Sequence, residues 1–157
     1  MSRSLGRSLP NDLLHLLSQH DLPPLLGRVI PMLTLGPDGY PHPMLCTYLE
    51  LYAVDPKTVR LAINMRSRSA SNLQSRRVAT FLFVEPERIV YLKGRAGAPP
   101  RVFSGLARFD ITVEDVLEDT PEEAEGRVRL TSGITYGPPP RLESRWAKEV
   151  LVALRAE

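Results

Sequence analysis

The chain has 157 residues, 43% hydrophobic and 24% charged, which excludes a disordered segment and allows one domain with a real core. A net charge of +2 gives no whole-molecule pull toward nucleic acid, and a single cysteine, Cys46, excludes an internal disulfide and any multi-cysteine metal site. His15, His20 and His42 lack metal-ligating spacing, no apolar run approaches the roughly 18–20 residues that span a bilayer, and the N-terminus has no continuous apolar signal core. The expectation is one cytoplasmic domain over 1–157, with no metal and no membrane partner.

Residues 1–9 are rich in Arg and Ser and are expected to be loosely held. Asn11 can cap a helix whose leucines at 13, 14, 16 and 17 form an apolar stripe, and Asp21 to Pro24 ends it. Arg28 to Leu35 reads as a strand. Gly36-Pro37-Asp38-Gly39 follows as a turn, with proline presetting φ and the last glycine accepting positive φ. Tyr40 to Val54 carries a second β-favouring run, whose start is irregular because Pro41 and Pro43 cannot donate to a ladder. Asp55-Pro56-Lys57 turns into a third strand, Thr58 to Ile63, which alternates polar and apolar residues.

The next stretch, Asn64 to Leu73, packs three serines and two arginines where a strand becomes a helix, predicted from Ser67 or Ser69 to Arg76. Such a junction offers unpaired backbone N–H groups, hydroxyls and guanidinium forks together, which is what a phosphate needs. A capped helix start with a solvated basic face satisfies the same ten residues. Val78 to Val84 is apolar nearly throughout and reads as a central strand buried on both faces. Arg88 to Leu92 returns from a turn, and Val102 to Val113 is another strand with Gly105 as a bulge or bend. Thr120, Pro121, Glu122 and Glu123 fit a helix start, Val128 to Tyr136 a last strand or an irregular segment, and Leu142 to Leu154 a helix with Trp146, Val150, Leu151 and Leu154 on one side. The fold class is therefore mainly β: about six antiparallel strands in a small barrel, with peripheral helices including one at each end.

Gly36 to Pro43, then a strand, then Arg66 to Leu73 ending in Ser-x-Asn-Leu, then Arg77-Val78-Ala79-Thr80, resembles the pyridoxamine 5'-phosphate oxidase-like family. The resemblance covers roughly residues 28–96. It implies a split β-barrel, a homodimer with FMN in the cleft between subunits, and an oxidoreductase whose catalytic residues and substrate stay unknown. It also implies that Met44, Leu45, Cys46, Thr47, Ala62, Ile63 and Asn64 line the flavin. By the same resemblance Arg66, Ser67, Arg68, Ser69, Ser71 and Asn72 hold its phosphate and ribityl chain. Ser69 stands where many members carry lysine, so Arg68, Arg66 or Arg60 has to meet the phosphate charge. The C-terminal Arg-Leu-x-Pro-like motif of the authentic oxidases is missing. Tyr136, Arg141 and Trp146 are candidates to border the cleft.

A flavin- or haem-binding protein without turnover, acting as carrier or sensor, is the alternative. A nucleic-acid patch of Arg66, Arg68, Arg76 and Arg77 is a weaker one, because residues 64–80 hold no aromatic residue to stack a base. No nucleic-acid partner is expected.

Overall fold

The computed structural model describes residues 2–122, 126 and 128–157. Its centre is one curled antiparallel sheet of nine strands. They are β1 (Ser2–Gly6), β2 (Val29–Leu35), β3 (Pro41–Thr47), β4 (Leu51–Asp55), β5 (Thr58–Asn64), β6 (Val78–Glu85), β7 (Arg88–Ala96), β8 (Arg101–Phe103) and β9 (Leu106–Asp119). The main path runs β3-β2-β6-β7-β9-β5-β4, while β1 and β8 add to β9. Three helices flank it: α1 (Asn11–Leu17), α2 (Arg68–Ser75) and α3 (Arg145–Arg155). None is long and apolar enough to cross a membrane.

The split-barrel expectation holds, with more strands than the hydrophobic pattern showed. β9 is the spine: its first half pairs with β5 and β8, its second with β7 and β1. The bend between these halves skips one β9 residue opposite Lys93 and Gly94. A Cβ on Gly94 would sit 2.4 Å from Ile111 Cγ2, so only glycine allows this close approach. Phe81, Phe83, Phe109, Leu61, Leu73 and Leu92 fill the interior.

Several expectations are corrected. Residues 2–6 form β1, and the Arg3 guanidinium donates to Glu118 on β9 (2.7 Å). Pro10 stands at the N-cap of α1 in place of Asn11, and no side chain caps it. The run Tyr40 to Val54 is two strands, broken by a tight turn at Tyr48–Glu50. Gly105 is the tip of the β8–β9 hairpin, with φ +87, and not a bulge within one strand. Thr120 to Glu122 are not helical, because pairing with β7 carries the β9 strand to Asp119; Glu123 lies outside the described residues. Of the two alternatives for Val128 to Tyr136, the irregular segment is the one formed, with an isolated bridge from Arg28 to Thr135. β6 is central but buried on one face only: Ala79, Phe81 and Phe83 point inward, and Val78, Thr80, Leu82 and Val84 remain half-exposed.

Candidate functional site

Two walls converge at one end of β2. The first is the β2–β3 hairpin. Gly36 N–H donates to Tyr40 O (2.9 Å), Gly39 N–H to Gly36 O (3.1 Å) and Tyr40 N–H to Asp38 Oδ1 (3.1 Å), with Gly39 at φ +82. The predicted Pro-Asp-Gly chemistry makes this turn. The second wall is α2. Asn64 Oδ1 accepts from Arg66 N–H (2.9 Å), and the Ser67 hydroxyl accepts from Ala70 N–H (3.1 Å), which sets the N-cap. That cap leaves the Arg68 and Ser69 N–H groups in the first turn, without intrahelical acceptors.

A buried polar relay locks the walls together. Asn72 Nδ2 donates to Thr34 Oγ1 (3.0 Å), and the Thr34 hydroxyl donates to His42 O (3.4 Å). Both Asn72 and Thr34 are 3% exposed, so the relay is shielded from competing water. At the far end of the helix, the Arg76 guanidinium reaches Pro37 O (3.5 Å).

Between the walls lies a cleft of about 460 Å³, lined by Gly36, Pro37, Asp38, Tyr40, Pro41 and His42 on one side and Arg68, Ser71 and Asn72 on the other. The Arg68 side chain is exposed and forms no ion pair among the described residues. Beside the cleft, sharing Pro41, is an apolar groove of about 210 Å³ lined by Leu33, Leu35, Val78 and Thr80 on the outer face of the sheet. Leu45, 45% exposed and paired with Pro31, extends that face.

Three of the thirteen predicted cofactor residues, Arg68, Ser71 and Asn72, line the cleft. Asn64 and Ser67 serve as turn and cap acceptors, and Arg66 is exposed on the loop outside it. Ser69 is 1% exposed beneath the helix. Cys46, Ala62 and Ile63 pack in the core, where their side chains cannot touch a ligand in the cleft; Thr47 is buried and capping the turn after β3. Met44 is half-buried against the core, and Leu45 faces outward. Arg60 does not line this cleft; its guanidinium donates to the carbonyls of Leu154 and Ala156 (2.9 Å each). Tyr136, Arg141 and Trp146 do not line this cleft within one copy; Tyr136 N–H donates to Gly27 O at the opposite end of β2. Among the described residues, no group of three or more His, Cys, Asp or Glu is placed to hold a metal.

Asp38, Tyr40 and His42 were legible as a turn but not as a wall. The signal that joins them to α2 is the Asn72–Thr34 hydrogen bond, which sequence spacing does not reveal.

No family model and no curated protein matches the chain. Solved structures share its fold. A Lactobacillus delbrueckii protein provisionally assigned as a pyridoxamine 5'-phosphate oxidase superposes with TM-score 0.56 at 11% identity, covering 73% of this chain and 98% of its own. The Group A Streptococcus protein HupZ gives TM-score 0.54 at 14% identity, covering 82% and 99%. A conserved hypothetical protein of Mycobacterium tuberculosis gives 0.53 at 15%, covering 82% and 95%.

Proposed function

We propose that this chain, whose fold is the split barrel of the pyridoxamine 5'-phosphate oxidase-like proteins, is an FMN-binding flavoprotein that acts as an oxidoreductase. The cleft carries the reading: Arg68, whose guanidinium has no ion pair among the described residues, and Ser71 line it from the first turns of α2, opposite a hairpin wall across a ligand-sized space. This donor set fits a phosphate monoester. One charge-assisted hydrogen bond contributes roughly 1.5–3 kcal/mol and the helix end about 0.3–1 kcal/mol, which together reach millimolar binding, about −4 kcal/mol, at the very most. The apolar groove beside the cleft supplies the missing burial for a ring system.

When bound, FMN supplies the redox chemistry. Arg68 and Ser71 fix its phosphate, Asn72 holds α2 against Thr34 so that these donors stay aimed, and Leu33, Leu35 and Val78 exclude water from the ring. Substituting Arg68→Ala is expected to weaken FMN by about one to two orders of magnitude while riboflavin changes by less than about twofold. Fluorescence-quench titration of both ligands checks this. Equal losses would place the phosphate elsewhere. Absence of flavin binding altogether would remove the reading, and a Soret band in the purified protein would favour haem. Anaerobic reduction of bound FMN by NADH or NADPH separates an enzyme from a carrier.

The second face of β6 supports a homodimer. Val78, Thr80 and Leu82 align with Pro31, Leu33, Leu35 and Leu45 into an outward apolar surface that is half-exposed in one copy, with Leu45 the most open at 45%. A second copy buries it and closes the groove over the ring. Leu45→Glu is expected to convert a dimer to a monomer in sedimentation equilibrium and to weaken FMN with it. A monomeric wild type would refute the arrangement.

A further inference from the structure

The phosphate reading uses only one wall of the cleft. Arg68, Ser71 and the first turn of α2 account for a phosphate, whereas the opposite wall presents Asp38, Tyr40 and His42. A carboxylate beside a phosphate is repulsive unless another part of the ligand lies between them. Asp38 uses Oδ1 to accept from Tyr40 N–H (3.1 Å), and Oδ2 has no hydrogen-bond partner among the described residues. The Tyr40 ring is 73% exposed at the lip, taking no part in the core. A volume of about 460 Å³ is several times what one phosphate fills and falls within the range of whole small-molecule sites.

A free carboxylate oxygen suits a ribose diol, an exposed aromatic ring suits a base, and the Arg68 cation lines the same space. We infer that the cleft accepts an adenylate extension of the flavin, so that the protein takes FAD as well as FMN, with the base stacked on Tyr40 and the ribose held by Asp38. The inference rests on the phosphate position proposed above. That shared position commits the adenylate to the flavin's own tail and not to a separate dinucleotide. His42 adds a half-buried imidazole on the same wall, next to the diphosphate.

The test is titration of the full chain with FMN and FAD, for wild type, Tyr40→Ala and Tyr40→Phe. The expected result is FAD binding at least as tightly as FMN. Tyr40→Ala should then weaken FAD by about fivefold or more while leaving FMN within about twofold, and Tyr40→Phe should retain the wild-type FAD affinity because the ring is kept. FAD binding weaker than FMN in the wild type, or a Tyr40→Ala loss shared equally by both flavins, overturns the inference and leaves the FMN reading standing. Failure of both flavins to bind removes both.

Discussion

Replacing Glu50 with glutamine is expected to stabilise the protein by about 1–3 kcal/mol at pH 8 and, below pH 4, to leave it unchanged or destabilise it by up to about 2 kcal/mol. Glu50 is 7% exposed, and burial pushes its carboxyl up to about 7, against the lowering effect of hydrogen bonds from Thr47. Thr47 N–H donates to Glu50 Oε2 (2.7 Å), and Gln19 Nε2 pins the same turn through the carbonyls of Tyr48, Leu49 and Leu51. An acid whose folded pKa lies above its unfolded value binds its proton more tightly in the native state. Its contribution is therefore fully present below the ordinary glutamate value of 4.5 and is lost as pH rises to about 7. The span amounts to about 3 kcal/mol. Glutamine keeps an acceptor for Thr47 N–H and removes the charge, but its NH₂ group needs partners of its own, which sets the lower end of the range.

Other carboxylates run the opposite way. Hydrogen bonds from Arg3 and Arg88 hold Glu118 below the usual range, so its contribution is present above the ordinary value and lost as pH falls through the folded one. The raw pH profile of the wild type mixes the two slopes, and the difference between wild type and Glu50→Gln isolates the first. Urea unfolding of both proteins from pH 4 to pH 8 measures it. A difference that stays constant across that range would show that Glu50 ionises as an ordinary surface glutamate.

How much of this was legible in the sequence depends on the range of the interaction. β2, β5 and α2 were readable because alternation and capping are local: Ser67 caps α2, and the Pro-Asp-Gly turn closes β2 onto β3. The break after β3 also had a local signature, since Thr47-Tyr48-Leu49-Glu50 is a capping box, but the continuous apolar run around it masked the signal. β1 was hidden because its residues are polar and mostly exposed; pairing with β9 orders them, and no hydrophobic pattern announces that. The outward face of β6 misled for the converse reason. An apolar strand face reads as buried whether its cover comes from the same chain or another. For the site, the serines and arginines of 66–72 indicated a phosphate, but spacing alone could not show which arginine is free. Arg68 is exposed, while Arg60, 94 residues ahead of Leu154, is spent on α3.

Arg108→Ala is expected to cost about 2–4 kcal/mol and to loosen α3 before the sheet. Arg108 is 3% exposed, and its guanidinium donates to Ala153 O (3.2 Å) and Ala156 O (2.6 Å); Arg60 donates to Leu154 O and to the same Ala156 O. Two cations thus cap the negative end of α3, where the last carbonyls have no intrahelical partner. Asp110 Oδ1 lies 3.3 Å from Arg60 Nε and 3.4 Å from Arg108 Nε, so one carboxylate serves two guanidiniums. Burial, with Arg60 and Arg101 adding like charge, holds the Arg108 guanidinium below its usual range despite Asp110. Removing Arg108 therefore loses two bonds but relieves Arg60 of repulsion. The Arg60→Ala, Arg108→Ala double variant should cost about 1 kcal/mol more than the sum of the singles, because either single relieves the same repulsion and leaves Ala156 O one donor, whereas the double orphans it. Trp146, the one tryptophan, lies on α3, so its fluorescence follows the helix while circular dichroism follows the sheet. In the Arg108→Ala protein the fluorescence transition should precede the other in urea. Coincident transitions with strictly additive costs would mean that α3 is held by its buried face, Ala147, Val150, Ala153 and Leu154, and that the arginines are bystanders.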